Sequence, residues 1–137
     1  LGTKCGFLGR MGFDRVYHAG HTRVSRGVGI LLRRYFPLVV TGSTTDPHGR
    51  YVAIWSLLEG VAYSFVSVYV PPQLHAAMMA DLCEQILSLP QGITVIGADL
   101  DAMMDTNLDF SREAGAKTHP TDARFRAWVE SIGLCDV

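Results

Sequence analysis

The sequence predicts a mixed α/β domain in which most strands pair antiparallel. Two runs of β-branched and aromatic residues flank a two-residue turn signal, which predicts a hairpin. An apolar stripe at spacings of four and three residues predicts an amphipathic helix. The chain has 137 residues, of which 48% are apolar and 18% charged. These figures suit one compact domain, with a sheet layer and helices outside it.

The first strands surround a turn of recognisable composition. Residues 27–32 form a short apolar run that predicts a buried strand. A strand rich in Val and Thr over 38–45 leads into Asp46-Pro47-His48-Gly49. Asp at the first position, Pro at the second and Gly at the fourth favour a type I turn. We therefore expect a hairpin here.

A second hairpin is predicted from residues 50–58 and 61–70, which only Glu59-Gly60 separates. Alternation along the second strand puts four side chains on one face: Tyr63, Phe65, Ser67 and Tyr69.

The second half of the chain predicts two helices and one strand. An apolar stripe predicts a helix over 73–88, and a similar stripe predicts another over 121–132, with Gly133 as its C-cap. Between them, residues 93–97 predict a buried strand that delivers Asp99 into a loop.

Charge is segregated along the chain, although the net charge is only −1. Residues 1–50 hold eight Lys and Arg against two acidic residues, whereas 51–111 hold seven acidic residues and no Lys or Arg. One surface could therefore bind a polyanion while another holds a divalent cation. Two solvated faces of opposite sign are the alternative.

Several classes of protein are disfavoured by composition. Three cysteines without a C-x-x-C pair support neither a disulfide framework nor a zinc knuckle, and His18 with His21 lacks a second ligand pair. Apolar runs are too short to cross a bilayer, and a signal-peptide pattern is absent from these residues. We expect an intracellular protein. Because the chain starts at Leu1 and ends within an apolar pattern, we expect residues 1–137 to be part of a single domain, truncated at both ends.

An acidic segment follows the strand at 93–97. It contains four aspartates within eleven residues: Asp99, Asp101, Asp105 and Asp109. Carboxylate oxygens are the hard ligands that Mg²⁺ requires. Alternatively, these residues cap turns and a helix start.

Five short motifs, in order, resemble the endonuclease/exonuclease/phosphatase (DNase I-like) superfamily. The similarity is closest to LINE-type retrotransposon endonucleases and exonuclease III-like enzymes. The matching segments are Ser25–Leu31 (S-x-G-V-x-I-L), Asp46–Tyr51 (D-x-x-G-R-x), Val68–Pro71 (V-Y-x-P), Gly97–Asp101 (G-D-x-N) and Leu108–Ser111 (L-D-x-S).

The resemblance implies a fold, an activity and partners. The fold would be part of a four-layer α/β/β/α sandwich with mostly antiparallel sheets. The activity would be a phosphodiesterase reaction that depends on Mg²⁺, or on Mn²⁺ in its place, with DNA as substrate. It implies a nuclear location, and neither a membrane partner nor a small-molecule cofactor.

The resemblance also assigns site residues. Tyr69 matches the tyrosine that reaches the scissile phosphate, and Asp99 the aspartate that activates water and helps to position the metal. Asp101 stands where the family has an asparagine, which makes it a departure and a second candidate metal ligand. Arg26 and Arg50 are candidate phosphate contacts, with solvation or pairing to an aspartate such as Asp46 as the alternative.

Other functions stay open at this point. The family's metal-binding Glu and its C-terminal Asp-His pair have no counterpart in these 137 residues. A catalytically inactive remnant, binding DNA at most, is therefore an alternative. Since fold alone does not choose a substrate, an inositol-phosphate or sphingomyelin phosphodiesterase is another.

Overall fold

A computed structural model of the protein describes residues 2–20, 27–70, 75–99 and 123–135. The predictions for Arg26, Asp101 and the rest of the acidic segment lie outside these residues. The described elements follow in chain order: α1 (Gly2–Arg10), β1 (Phe13–Gly20), β2 (Gly27–Arg33), β3 (Val39–Thr45), β4 (Tyr51–Leu58), β5 (Val61–Tyr69), α2 (His75–Leu87), β6 (Ile93–Asp99) and α3 (Ala123–Ser131).

The described strands form two sheets. β1 and β2 pair antiparallel, and the second sheet has the order β3-β4-β5-β6. Pairing in the second sheet is antiparallel except between β5 and β6, which run parallel. The prediction of a mixed α/β fold with mostly antiparallel sheets is confirmed.

Both predicted hairpins form, and their turns have the expected geometry. The Gly49 N–H donates to the Asp46 carbonyl at 3.0 Å, which closes the turn between β3 and β4. Glu59 and Gly60 have φ of 51° and 81°. Two successive positive φ values are typical of the type I′ turn, whose twist matches that of the paired strands.

The core of the first compact unit (Leu1–Val70 with Ser88–Asp99) lies between the two sheets. Its centre is formed by the buried side chains of Leu32, Leu38 and Ile54. Ile54 and Phe65 are register partners on β4 and β5, and Phe65 packs against this centre. The face of β5 that the sequence predicts for Tyr63, Phe65, Ser67 and Tyr69 is therefore the face turned toward this centre.

The prediction that residues 93–97 form a buried strand is wrong in one respect. β6 is present, but Ile93 is 51% and Val95 44% exposed. β6 stands at the edge of its sheet and pairs only with β5 among the described strands. A short apolar run cannot distinguish a central strand from an edge strand. Asp99 is also the last residue of β6 and not part of a loop.

Two elements near the N-terminus were not predicted. α1 has the sequence GTKCGFLGR, in which three glycines disfavour a helix. β1 alternates partly buried and exposed residues and pairs with β2 along its whole length. Its partner lies later in the chain, so local composition gave no signal for it.

The second compact unit (Pro71–Leu87 with Leu100–Val137) contains α2 and α3. The predicted stripe of α2 is buried at Met78, Leu82 and Ile86. α3 ends as predicted: Gly133 has φ of 70°, and the Leu134 N–H donates to the Val129 carbonyl at 3.0 Å in a Schellman motif. None of the helices in the described part of the chain is long and apolar enough to cross a membrane.

Replacing Gly42 by alanine should destabilise the first unit. Gly42 pairs with Trp55 next to a β-bulge, and a Cβ built on Gly42 would overlap the indole ring. Such overpacking costs about 1–3 kcal/mol of unfolding free energy, which urea denaturation would measure. Gly97→Ala is the matched control, because a Cβ at Gly97 meets nothing within 4 Å. Equal effects of the two substitutions would contradict the prediction.

Candidate functional site

The C-terminal ends of β5 and β6 and the start of β4 lie together at one end of the four-stranded sheet. Tyr69 ends β5 and is the register partner of Asp99, which ends β6. The Val70 N–H donates to the Asp99 carbonyl at 2.9 Å. On the other side, the Tyr69 N–H donates to the carbonyl of Arg50 at 2.8 Å, directly before β4. The backbone therefore brings three sequence-predicted site residues together.

Tyr69 and Asp99 lie on the same face of the sheet. Register partners on neighbouring strands stand side by side, about 5 Å apart. Tyr69 is partly exposed and Asp99 is exposed. A phenol, whose hydroxyl can donate a hydrogen bond, and a carboxylate, which can accept a proton or bind a cation, therefore extend from neighbouring positions of one face.

The side chain of Arg50 is held by Asp46, four residues earlier in the turn. Its Nη2 donates to Asp46 Oδ1 at 2.7 Å, and its Nε donates to Oδ2 at 2.8 Å. Asp46 Oδ2 also accepts the backbone N–H groups of His48 and Arg50. The side chain of Asp46 is only 3% exposed, against 23% for Arg50. One buried carboxylate thus fixes both the turn and the arginine.

The Arg50 guanidinium lowers the pKa of Asp46 below its ordinary value of 3.8. The hydrogen bonds from the Arg50 side chain are the largest cause; burial acts in the opposite direction, and the Arg50 backbone N–H lowers the pKa further. Because the folded-state pKa is the lower one, ionised Asp46 stabilises the fold at pH values above 3.8. This contribution is lost as the pH falls through the folded-state pKa.

The alternative raised for Arg50, pairing with Asp46, is what the structure shows. A phosphate contact by Arg50 stays a prediction, as does one by Arg26, which lies outside the described residues. Asp101 lies there too, so of the residues predicted to bind metal only Asp99 can be placed.

The described residues contain no cluster of three His, Cys, Asp or Glu side chains that could hold a metal ion. His18 is exposed on β1, and His21 lies outside the described residues. An exposed carboxylate at a strand end nevertheless fits Mg²⁺, which proteins often hold through one or two carboxylates together with substrate phosphates. Asp99 is therefore a suitable first ligand.

Asp46→Asn should lower the free energy of unfolding at pH 7 by about 2 kcal/mol, since a charge-assisted pair is lost while an amide oxygen can still accept the turn N–H groups. The loss should shrink as the pH falls below 3.8, where protonation removes the same contribution from the wild type.

Urea denaturation of wild type, Asp46→Asn, Arg50→Met and the double variant, between pH 7 and pH 3, measures this coupling. A coupling that does not change with pH would contradict the assignment.

No protein-family model matches the chain, and no curated protein does. Matches to 15 chains of solved structures were found. One is the crystal structure of TDP2 from C. elegans, with 11% sequence identity and a TM-score of 0.48. The match covers 84% of this chain and 39% of that one, so the chain spans about two fifths of that structure.

Proposed function

We propose that the chain is part of a Mg²⁺-dependent phosphodiesterase domain that nicks DNA. The observation that carries this proposal is the register of Tyr69 and Asp99 at the ends of β5 and β6. Two residues, 30 positions apart and assigned to the same reaction by independent motifs, are adjacent on one face. The finer assignment to a LINE-type or exonuclease III-like endonuclease rests on the motifs.

In this proposal the two side chains have complementary roles. The Tyr69 hydroxyl donates a hydrogen bond to a non-bridging oxygen of the scissile phosphate. The Asp99 carboxylate orients a water molecule for in-line attack and accepts its proton.

Asp99 would also hold the metal, with Asp101 as a second ligand. Bound Mg²⁺ would polarise the phosphate and stabilise the leaving oxyanion. Mn²⁺ has similar ligand preferences and is expected to substitute for it.

The proposal includes the rest of the family's fold. We take residues 1–137 as part of one four-layer α/β/β/α domain. The exposed residues Ile93 and Val95 support this, since in a complete sandwich the inner face of β6 would be covered. In the intact polypeptide, the family's Glu and Asp-His pair would be supplied by segments on either side, and a DNA substrate would require a nuclear location.

A second candidate function is that of an inactive DNA-binding remnant, favoured by Asp101. An asparagine amide donates to the phosphate oxygens in the transition state, whereas an ionised aspartate cannot donate and repels them. An inositol-phosphate or sphingomyelin substrate has no comparable support, because the arginine-rich first 50 residues favour a nucleic acid.

Plasmid nicking tests the proposed activity. A polypeptide that carries the complete domain should convert supercoiled to nicked plasmid in Mg²⁺ but not in EDTA. Asp99→Asn should reduce the rate at least about 10³-fold, as expected when a member of a catalytic unit is removed. The 137-residue chain alone should not nick. Nicking that survives Asp99→Asn would contradict the proposal.

Asp101→Asn in the complete domain should raise the nicking rate, by up to about 10²-fold, because it restores a transition-state donor. Asp105→Asn is a control of the same chemistry in the same segment and should have little effect. A loss of activity in Asp101→Asn would show that Asp101 is a metal ligand adapted to its site. No nicking by any variant would favour the inactive remnant.

A further inference from the structure

The turn between β2 and β3 exposes an unusual group of side chains, which we call the Arg33–Phe36 turn. Arg33, Arg34, Tyr35 and Phe36 are all exposed, and Tyr35 is 92% exposed. Tyr35 also has φ of 65°, a left-handed conformation that a bulky residue rarely adopts. A large aromatic ring is thus held in solvent, in a backbone conformation that a glycine would adopt more easily.

Hydrogen bonds from Arg15 and from the backbone hold this turn in place. Arg15 on β1 donates to two carbonyl oxygens, from Nη2 to Phe36 at 2.8 Å and from Nη1 to Leu38 at 2.7 Å. The Arg34 N–H donates to the Gly12 carbonyl at 2.8 Å, and the Phe36 N–H to that of Arg33 at 3.1 Å. These bonds fix the turn, so the ring of Tyr35 is presented on a rigid support.

The charge around the ring is positive. Within the described part of the chain, neither Arg33 nor Arg34 forms an ion pair with a carboxylate, and Arg34 Nη2 donates to the Gly9 carbonyl at 3.4 Å. Guanidinium groups bind phosphates, and an exposed ring offers a surface on which a base can stack. An acidic protein would use the charge but would gain little from the ring.

We propose that the Arg33–Phe36 turn binds single-stranded nucleic acid, with an unpaired base stacked on Tyr35 and phosphates held by Arg33 and Arg34. Bases in a duplex are already stacked on each other, so the turn should prefer a single strand.

This site is separate from the candidate site described above. The turn leads into the start of β3, where Val39 pairs with Leu57, whereas Tyr69 and Asp99 lie at the opposite end of the same sheet. With strands of seven to nine residues, the two sites are roughly 20–25 Å apart. The inference shares only a nucleic-acid partner with the proposed function and requires neither Mg²⁺ nor Asp99.

Fluorescence anisotropy with a labelled single strand of about 12 nucleotides, in EDTA, tests the proposal on the 137-residue chain. Tyr35→Leu should weaken binding at least about fivefold, since stacking of one base is lost. Tyr35→Phe, which keeps the ring, should bind within about twofold of wild type. Thermal unfolding should show that both variants fold, because the side chain is exposed in the wild type.

The salt dependence separates the arginines from the ring. Arg33→Ala/Arg34→Ala should reduce the slope of log K against log salt by about 1.4, as two single-strand phosphate contacts are lost. Tyr35→Leu should leave the slope unchanged, and so should Arg126→Ala, a control on α3.

Three results would overturn the proposal: equal binding by Tyr35→Leu, preference for the duplex form of the same oligonucleotide, or equal competition by poly-aspartate, which has charge but no bases. Because binding is measured in EDTA, any of these results leaves the nicking assay of the proposed function unaffected. Conversely, a complete domain that fails to nick does not alter the binding result.

Discussion

β5 is hydrogen-bonded on both sides, antiparallel to β4 and parallel to β6. Successive side chains of a strand point to opposite faces, so a slip of one residue would move Tyr69 away from the face it shares with Asp99. Burial on both faces of β5 holds this register. Ser64, Val66 and Val68 are buried on one face, and on the other Phe65 packs against the core centre that contains Ile54. The site thus depends on packing along the whole strand.

The two turns at the ends of β4 support this register in different ways. Glu59-Gly60 sets it locally, because a two-residue turn with positive φ leaves no freedom in how β4 and β5 align. At the other end, the Asp46 carboxylate accepts hydrogen bonds from the turn backbone and from the Arg50 side chain. The Arg50 carbonyl in turn accepts the Tyr69 N–H. Asp46 is therefore connected to the candidate site through one residue and two hydrogen bonds. A buried carboxylate with four such bonds is costly to rearrange.

Local signals account for what the sequence predicted correctly. Asp46 to Gly49, Glu59-Gly60 and Gly133 each require a particular backbone conformation, and each turn or cap formed. Predictions failed where the outcome depends on distant partners. β1 exists because β2 lies opposite to it, and the exposure of Ile93 follows from the position of β6 at an edge. Neither fact is encoded within a window of a few residues.

The candidate site also depends partly on local signals and partly on distant partners. Motifs identified Tyr69 and Asp99 separately, and only the parallel pairing of β5 with β6 makes them neighbours. Asp101 and Arg26, which lie outside the described residues, rest on the motifs alone.

Counting charges along the sequence does not distinguish cations that hold the fold from cations available to a ligand. Arg50 is committed to the Asp46 carboxylate and Arg15 to two carbonyl oxygens, so at least two of the eight basic residues in the first 50 serve the structure. Arg33 and Arg34 are instead exposed, beside an aromatic ring and far from the candidate site. The exposed arginines among these four, Arg33 and Arg34, therefore lie at the end of the sheet opposite the candidate site. If both proposals hold, a long nucleic acid that contacts both ends of the sheet has a raised effective concentration at each of them.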